Sequence, residues 1–281
     1  MRLAFLGTPA LAVPSLQALV AAGHDVVIVI TGGDKRRGRR SDVSASPVKA
    51  AALELGIPVS ESVDDLLGRD LELAVVVAFG QLIRPHLLAP QPGGLVMVNS
   101  HFSLLPRWRG AAPVERALLA GDAETGVCLM RLEAGLDTGP VYDRVRVPIG
   151  PHTTAVELRE TLIAAGVEQL VRCLGAPLGN PLPQSGEPTY AAKIRPSDLR
   201  IDWSQTAAYI DRLIRVGGAW TTFRGKRLKV LAAVLDETEP VSWCAPVAGL
   251  VLLRVQPEGR AAMAFEDFAR GLHRLPDERL E

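Results

Sequence analysis

Arg2-Leu3-Ala4-Phe5-Leu6-Gly7, with Asp25-Val26-Val27-Ile28-Val29-Ile30-Thr31 a helix-length away, decides the fold of this chain. The first run is apolar and stops at a glycine. The second is β-branched and apolar almost throughout, the pattern of a strand buried on both faces. Between them Leu11, Pro14, Leu16, Leu19 and Val20 recur at helical spacing over Pro9 to Ala22, and Gly23 sits where helices end. Strand, helix, strand is a βαβ unit, which implies a parallel sheet covered by helices.

Working outward, Ser46-Pro47 supplies an N-cap and a first-turn proline for a second helix, closed by Gly56. Leu73–Phe79 and Leu95–Asn99 predict further buried strands, with a short helix around Gln81–Leu88 between them. A helix near Pro113–Ala120, strands at Gly126–Glu133 and Val141–Ile149, and a long helix over Thr153–Leu174 follow. The expected architecture is α/β over residues 1–175, a Rossmann-like, mostly parallel sheet with helices on both faces. Residues 176–192 are rich in proline and glycine and read as a linker. Residues 193–281 predict a helix at Trp203–Val216, then β-rich runs at Arg227–Leu235 and Gly249–Val255 in a small barrel-like unit.

Composition narrows the function classes. With 281 residues, 48% hydrophobic and 22% charged, the chain has a soluble balance, and no apolar run approaches the roughly 20 residues of a membrane span. The N-terminus lacks the apolar core and cleavage site of a signal peptide, so a cytoplasmic protein is expected. Cys128, Cys173 and Cys244 are widely separated, which argues against a disulfide framework or a CxxC site and for buried structural thiols. Net charge is zero, yet residues 31–50 hold six basic side chains against two acidic, and residues 193–229 hold nine against three. Local excesses of that kind can neutralise phosphates in a neutral protein.

The chemistry concentrates after the Leu95–Asn99 run. Asn99 and His101 are two apart, so in extended geometry they share a face, at the carboxyl end of a strand where open α/β sheets place ligands. An amide N–H can meet a developing oxyanion, and imidazole exchanges protons near neutral pH, a pair suited to attack on a carbonyl carbon. An isolated Asn-x-His is more often a turn satisfying its own backbone. Asp137, in Ala134-Gly135-Leu136-Asp137-Thr138-Gly139-Pro140, could orient His101, stabilise its protonated form or relay a proton; it could also be an ordinary turn aspartate. No cluster of metal ligands is visible, and no metal is expected.

These motifs resemble the folate-dependent formyltransferases and, within them, the methionyl-tRNA formyltransferase family. The resemblance rests on Phe5-Leu6-Gly7-Thr8-Pro9, Ser46-Pro47-Val48-Lys49, Asn99-x-His101 with SLLPRWRGAAP over Ser103–Pro113, GDAETG over Gly121–Gly126, and GLDTG over Gly135–Gly139, in family order across most of residues 1–230. It implies a catalytic domain that takes 10-formyltetrahydrofolate as formyl donor and methionyl initiator tRNA as acceptor, with a C-terminal OB-type β-barrel helping to hold the tRNA. By position it makes Asn99, His101 and Asp137 the catalytic group. Ser103, Leu104, Leu105 and Pro106, with Phe79 and Gly80, would meet the folate. The basic run Lys35-Arg36-Arg37-Gly38-Arg39-Arg40 would be a mobile loop touching the acceptor stem, through Arg37, Arg39 and Arg40, although the family's Gly-Arg-Gly here reads Gly38-Arg39-Arg40. Arg224, Lys226, Arg227 and Lys229 would contact tRNA phosphates. A monomer is expected.

Between Val230 and Val255 the chain is too short for the family's further strands, so the barrel is expected to be incomplete or closed differently. Other readings stay open at this level. A dinucleotide-dependent oxidoreductase is poorly served by Gly7-Thr8-Pro9, which lacks the further glycines of a pyrophosphate turn. A formyltransferase acting on a sugar-nucleotide amine or glycinamide ribonucleotide, or a non-catalytic tRNA-binding relative, would share much of the pattern.

Overall fold

The computed structural model describes residues 1–37, 42–89, 91, 94–236, 238, 240, 247–272 and 278–281. The chain divides into two compact units, one of residues 1–110, 125–148 and 160–190, the other of residues 111–124, 149–159 and 191–281.

The first unit is built on a seven-stranded sheet. In spatial order its strands are Val141–Pro148, Glu124–Arg131, Met97–His101, Leu73–Val77, Arg2–Gly7, Asp25–Ile30 and Val59–Ser60. The last five are mutually parallel, and Glu124–Arg131 joins antiparallel beside Met97–His101. The mostly parallel sheet read from the sequence is therefore present. All five residues of Leu73–Val77 are buried, as a central strand covered on both faces requires.

Strand alternation divides the core in two. On one face Leu3, Phe5, Val29, Val75 and Val98 pack with Leu16 and Leu19 of the Val13–Ala21 helix, Val48 of the Pro47–Glu54 helix, and Leu170 and Leu174 of the Ala155–Leu174 helix. On the other, Ala4, Leu6, Ile28, Ala74 and Met97 pack with Leu66 and Leu87, which lie on short 3-10 helices, Val63–Leu66 and Pro85–Leu87. The helix expected at Gln81–Leu88 is thus corrected to this single 3-10 turn. No side chain caps it, and Pro85 at its start and the proline-rich chain beyond leave too few residues for a full α-helix. Ser46 caps its helix as the sequence indicated, accepting the Lys49 N–H at 3.0 Å, and its hydroxyl meets buried Thr31 Oγ1 at 2.7 Å. Cys128 is fully buried and Cys173 half-buried; Cys244 lies outside the described residues.

The second unit has an antiparallel sheet in the order Trp220–Phe223, Lys226–Leu235, Leu250–Pro257, Met263–Ala264. Its core joins Leu228, Val230 and Leu252 of that sheet to Ile210, Leu213 and Ile214 of the Ala207–Val216 helix and to Phe265. Thr206 caps that helix by accepting the Tyr209 N–H. Among the described residues the sheet has four strands paired in a line, fewer than a five-stranded barrel uses.

Candidate active site

Met97–His101 carries Asn99 and His101 to the carboxyl end of the parallel sheet, where Asn99 lies opposite Val76 and Met130, and His101 opposite Cys128. Their separation by two residues puts both side chains on one face. Asn99 is half-buried and His101 buried. Asp137 arrives from the loop between Glu124–Arg131 and Val141–Pro148, and its Oδ2 lies 3.7 Å from His101 Nδ1, with the two side chains 12% and 7% exposed. That distance exceeds a hydrogen bond, as catalytic pairs often do before substrate closes the site.

Asp137 has φ +49°, the left-handed region that aspartate tolerates better than most residues. Its carboxylate is fixed by the Gly110 N–H, which donates to Oδ2 at 2.8 Å. Gly110 itself has φ +117°, a conformation only glycine adopts without strain, which is a physical reason for the glycine after Arg109. The other nitrogen of His101, Nε2, lies 3.0 Å from the Trp108 carbonyl. A carbonyl only accepts, so Nε2 carries the proton. With a carboxylate facing Nδ1, each N–H of an imidazolium has an oxygen partner.

The loop Phe102–Gly110 therefore acts on the imidazole through backbone. Ser103 Oγ donates to the Arg107 carbonyl at 2.6 Å, and the Ser103 N–H to the His101 carbonyl at 2.9 Å. Trp108 is held at φ +61°, and Ala78, at the end of the neighbouring Leu73–Val77 strand, at φ +48°. With Asp137, three of the four non-glycine residues of positive φ among the described residues gather at this end of the sheet. Such conformations cost about 1–3 kcal/mol each and collect where a site is held in a set geometry.

The residues expected to meet folate are placed unequally. Ser103, Leu105 and Phe79 are buried, Leu104 and Pro106 half-buried, and Gly80 exposed with φ +68°. Accessible surface here comes from Gly80, Pro106 and Leu104, while Ser103 braces the loop that aims the Trp108 carbonyl. Cys128, across the ladder from His101, has its thiol pushed above the usual range by burial and is not a nucleophile in this setting.

Of the cations expected to contact tRNA, Arg224 occupies the turn between Trp220–Phe223 and Lys226–Leu235 with φ +51°, and its guanidinium pairs with Glu278 through two bonds of 2.7 Å. Lys226 and Lys229 are exposed. Arg227 is exposed as well, its guanidinium 4.1 Å from the Trp220 ring centroid. The backbone of Lys35–Arg37 pairs antiparallel with Asp42–Ser44. The Arg37 side chain, with Arg39 and Arg40, lies outside the described residues.

Sequence reasoning missed Trp108, whose carbonyl holds the imidazole, and Gly110, whose N–H holds the carboxylate. Both act through backbone groups, which no residue-type pattern marks. It also missed Gln184, whose amide touches both the Asp137 loop and Arg109.

Comparison with known proteins fits this geometry. The Formyl transferase family model matches residues 1–174, and the model of the family's C-terminal domain matches residues 193–249. Methionyl-tRNA formyltransferase of Roseobacter denitrificans is 42% identical, the match covering 96% of each chain, and that of Thermobifida fusca is 44% identical with the same coverage. Among solved structures, a methionyl-tRNA formyltransferase from Clostridium thermocellum superposes with a TM-score of 0.60 at 15% identity, covering 92% of this chain and 98% of its own. An N-formyltransferase from Helicobacter canadensis, in complex with folinic acid and dTDP-3-aminofucose, does so with a TM-score of 0.68 at 17% identity, covering 91% and 98%. At those identities the structures speak for the fold alone. With the family model spanning more than half its length and curated relatives above 40% identity from end to end, this chain belongs to the formyl transferase family, alongside the methionyl-tRNA formyltransferases.

Proposed function

We propose that this protein transfers the formyl group of 10-formyltetrahydrofolate to the α-amine of methionyl initiator tRNA. The observation that carries the reading is the His101 imidazole set against the Asp137 carboxylate at 3.7 Å, on the strand face that also bears Asn99. Support for tRNA as acceptor comes from curated relatives of that name, above 40% identical across nearly the whole chain.

In this reading the amine nitrogen attacks the formyl carbon, a new C–N bond forms, and the carbonyl electrons move onto oxygen. Asn99, and the imidazolium that His101 becomes on taking the amine's proton, stabilise that oxyanion. Collapse breaks the bond from the formyl carbon to N10 of the folate; the amine loses a proton and N10 gains one. His101 relays it, and Asp137 balances the ring's charge meanwhile. Gly80, Pro106 and Leu104 would present the folate wall, backed by buried Ser103, Leu105 and Phe79. Arg37, Arg39 and Arg40, and independently Arg224, Lys226 and Lys229, would each meet tRNA phosphates. Arg224 would then act within its Glu278 pair, as part of a shaped surface more than as a lone charge. A cytoplasmic monomer that needs no metal completes the proposal.

The test is an acceptor panel. The purified protein is given 10-formyltetrahydrofolate with methionyl-tRNA, free methionine, an amino-sugar nucleotide or glycinamide ribonucleotide. Formylation confined to methionyl-tRNA supports the proposal; transfer to another amine in preference, or to none, overturns it.

A further inference from the structure

Gln184 lies in the stretch that reads from composition as a linker, yet its amide makes four hydrogen bonds. Its Nε2 donates to the Asp137 carbonyl and to the Gly139 carbonyl, both at 2.8 Å. Its Oε1 accepts from Arg109 Nη2 at 2.6 Å and Nε at 3.1 Å. A primary amide has two N–H donors and two acceptor lone pairs, so its capacity is filled. The assignment of nitrogen and oxygen follows from the partners: reversed, the amide oxygen would face two carbonyls and the NH₂ a guanidinium.

What those bonds join matters. One side is the Ala134–Thr138 loop, exposed except at Asp137, which it holds in a left-handed conformation. The other is Arg109, between Trp108, whose carbonyl takes His101 Nε2, and Gly110, whose N–H takes Asp137 Oδ2. Five residues on, Thr189 repeats the pattern. Its Oγ1 accepts the Trp108 N–H at 2.9 Å, and its carbonyl accepts the Arg109 N–H at 2.8 Å. The segment after the long helix thus ties together the two loops that set imidazole against carboxylate.

We infer that Gln184 is a positioning residue, fastening the Asp137 loop to the Arg109 loop so that carboxylate and imidazole keep their alignment. The inference rests on the proposed reaction for its catalytic consequence, while the fastening is a property of the fold alone. Gln184→Glu keeps the shape and the acceptor for Arg109 but turns an oxygen toward the Asp137 and Gly139 carbonyls. Gln184→Met keeps the bulk and makes none of the four bonds.

Two readouts are needed. Amide hydrogen exchange over residues 133–139 should rise about tenfold or more in both variants while the melting temperature stays near wild type. With 10-formyltetrahydrofolate and methionyl-tRNA, kcat should fall roughly 10- to 100-fold, the scale of misplacing a catalytic group by about an ångström, with both KM values within about threefold. In an Asp137→Asn background the same substitutions should lower kcat no further, since Gln184 acts through that carboxylate. Unchanged exchange, an unchanged kcat, or a loss that adds in full on top of Asp137→Asn overturns the inference. A wild-type protein without formyl transfer would overturn the reaction instead, and the exchange measurement would still decide the fastening.

Discussion

Asp137→Asn isolates the charge of one carboxylate from its shape. The asparagine side chain retains an oxygen for the Gly110 N–H, which Asp137 Oδ2 now accepts at 2.8 Å, so loop and fold should survive. What disappears is the attraction between a carboxylate and the cation that His101 becomes as it takes the amine's proton. At 3.7 Å, with both side chains mostly buried, an effective dielectric near 20 gives about 4.5 kcal/mol as an upper limit. At about 1.4 kcal/mol per factor of ten, that limit is a rate loss of roughly 2 × 10³. Because the Gly110 N–H already draws on the same oxygen, a fall in kcat of about 10²- to 10³-fold is expected, with KM for the folate and the tRNA within about threefold. The assay is formylation of methionyl-tRNA at saturating substrates, with hydrogen exchange to verify the fold. A kcat within twofold of wild type would refute the electrostatic role, and an equal rise in KM would move Asp137 to binding.

Other consequences follow from packing and titration. A Cβ at Gly139 would overlap the Arg131 carbonyl oxygen, whereas one at Gly179 meets nothing within 4 Å. Gly139→Ala should therefore lower stability by about 1–3 kcal/mol or more in urea and depress turnover by shifting the Asp137 loop, while Gly179→Ala stays within about 0.5 kcal/mol. Ser46→Ala removes a helix cap and leaves the Thr31 hydroxyl, fully buried, without its 2.7 Å partner. Those losses together should cost about 2–4 kcal/mol by urea unfolding. Glu157 and Thr154 form a reciprocal cap at the start of the Ala155–Leu174 helix, and the Thr154 N–H and hydroxyl hold the Glu157 carboxyl below its usual range. A depressed carboxylate contributes stability above the ordinary glutamate range and loses it as pH falls through the lower folded value. Wild type should exceed Glu157→Gln in urea midpoint near neutrality, and the gap should close as pH falls through the lowered folded value; a gap that widens on acidification would contradict the assignment.

The parallel sheet was legible because its strands are buried on both faces, and a run such as Leu73–Val77 has no polar residue to confuse the period. Ser46-Pro47 was legible because capping is local chemistry. The second face of the sheet was not. Leu66 and Leu87 cover it from 3-10 turns too short to show a helical recurrence, so Gln81–Leu88 read as a helix when only Pro85–Leu87 turns. Asn99 and His101 could be read as a pair from strand alternation, but joining Asp137 to them required a loop from another strand and, for residue roles, the family resemblance. The groups that fix the geometry, the Trp108 carbonyl, the Gly110 N–H and the Gln184 amide, leave no periodic or compositional trace. Gln184 in particular is separated by 47 residues from the loop it fastens, inside a stretch whose prolines and glycines suggest a linker. In the second unit, β-rich composition pointed to two of the four strands, while the short Trp220–Phe223 and Met263–Ala264 strands and partners such as Glu278 for Arg224 emerge only from the folded chain.

The most direct test of the account is a single-turnover comparison of wild type and His101→Ala, with enzyme in excess over formyl-labelled 10-formyltetrahydrofolate and methionyl-tRNA present. The account predicts that label reaches the methionyl amine about 10²- to 10⁴-fold more slowly in the variant, while the Kd for the folate changes by less than about threefold. Transfer at a rate near that of wild type would contradict it.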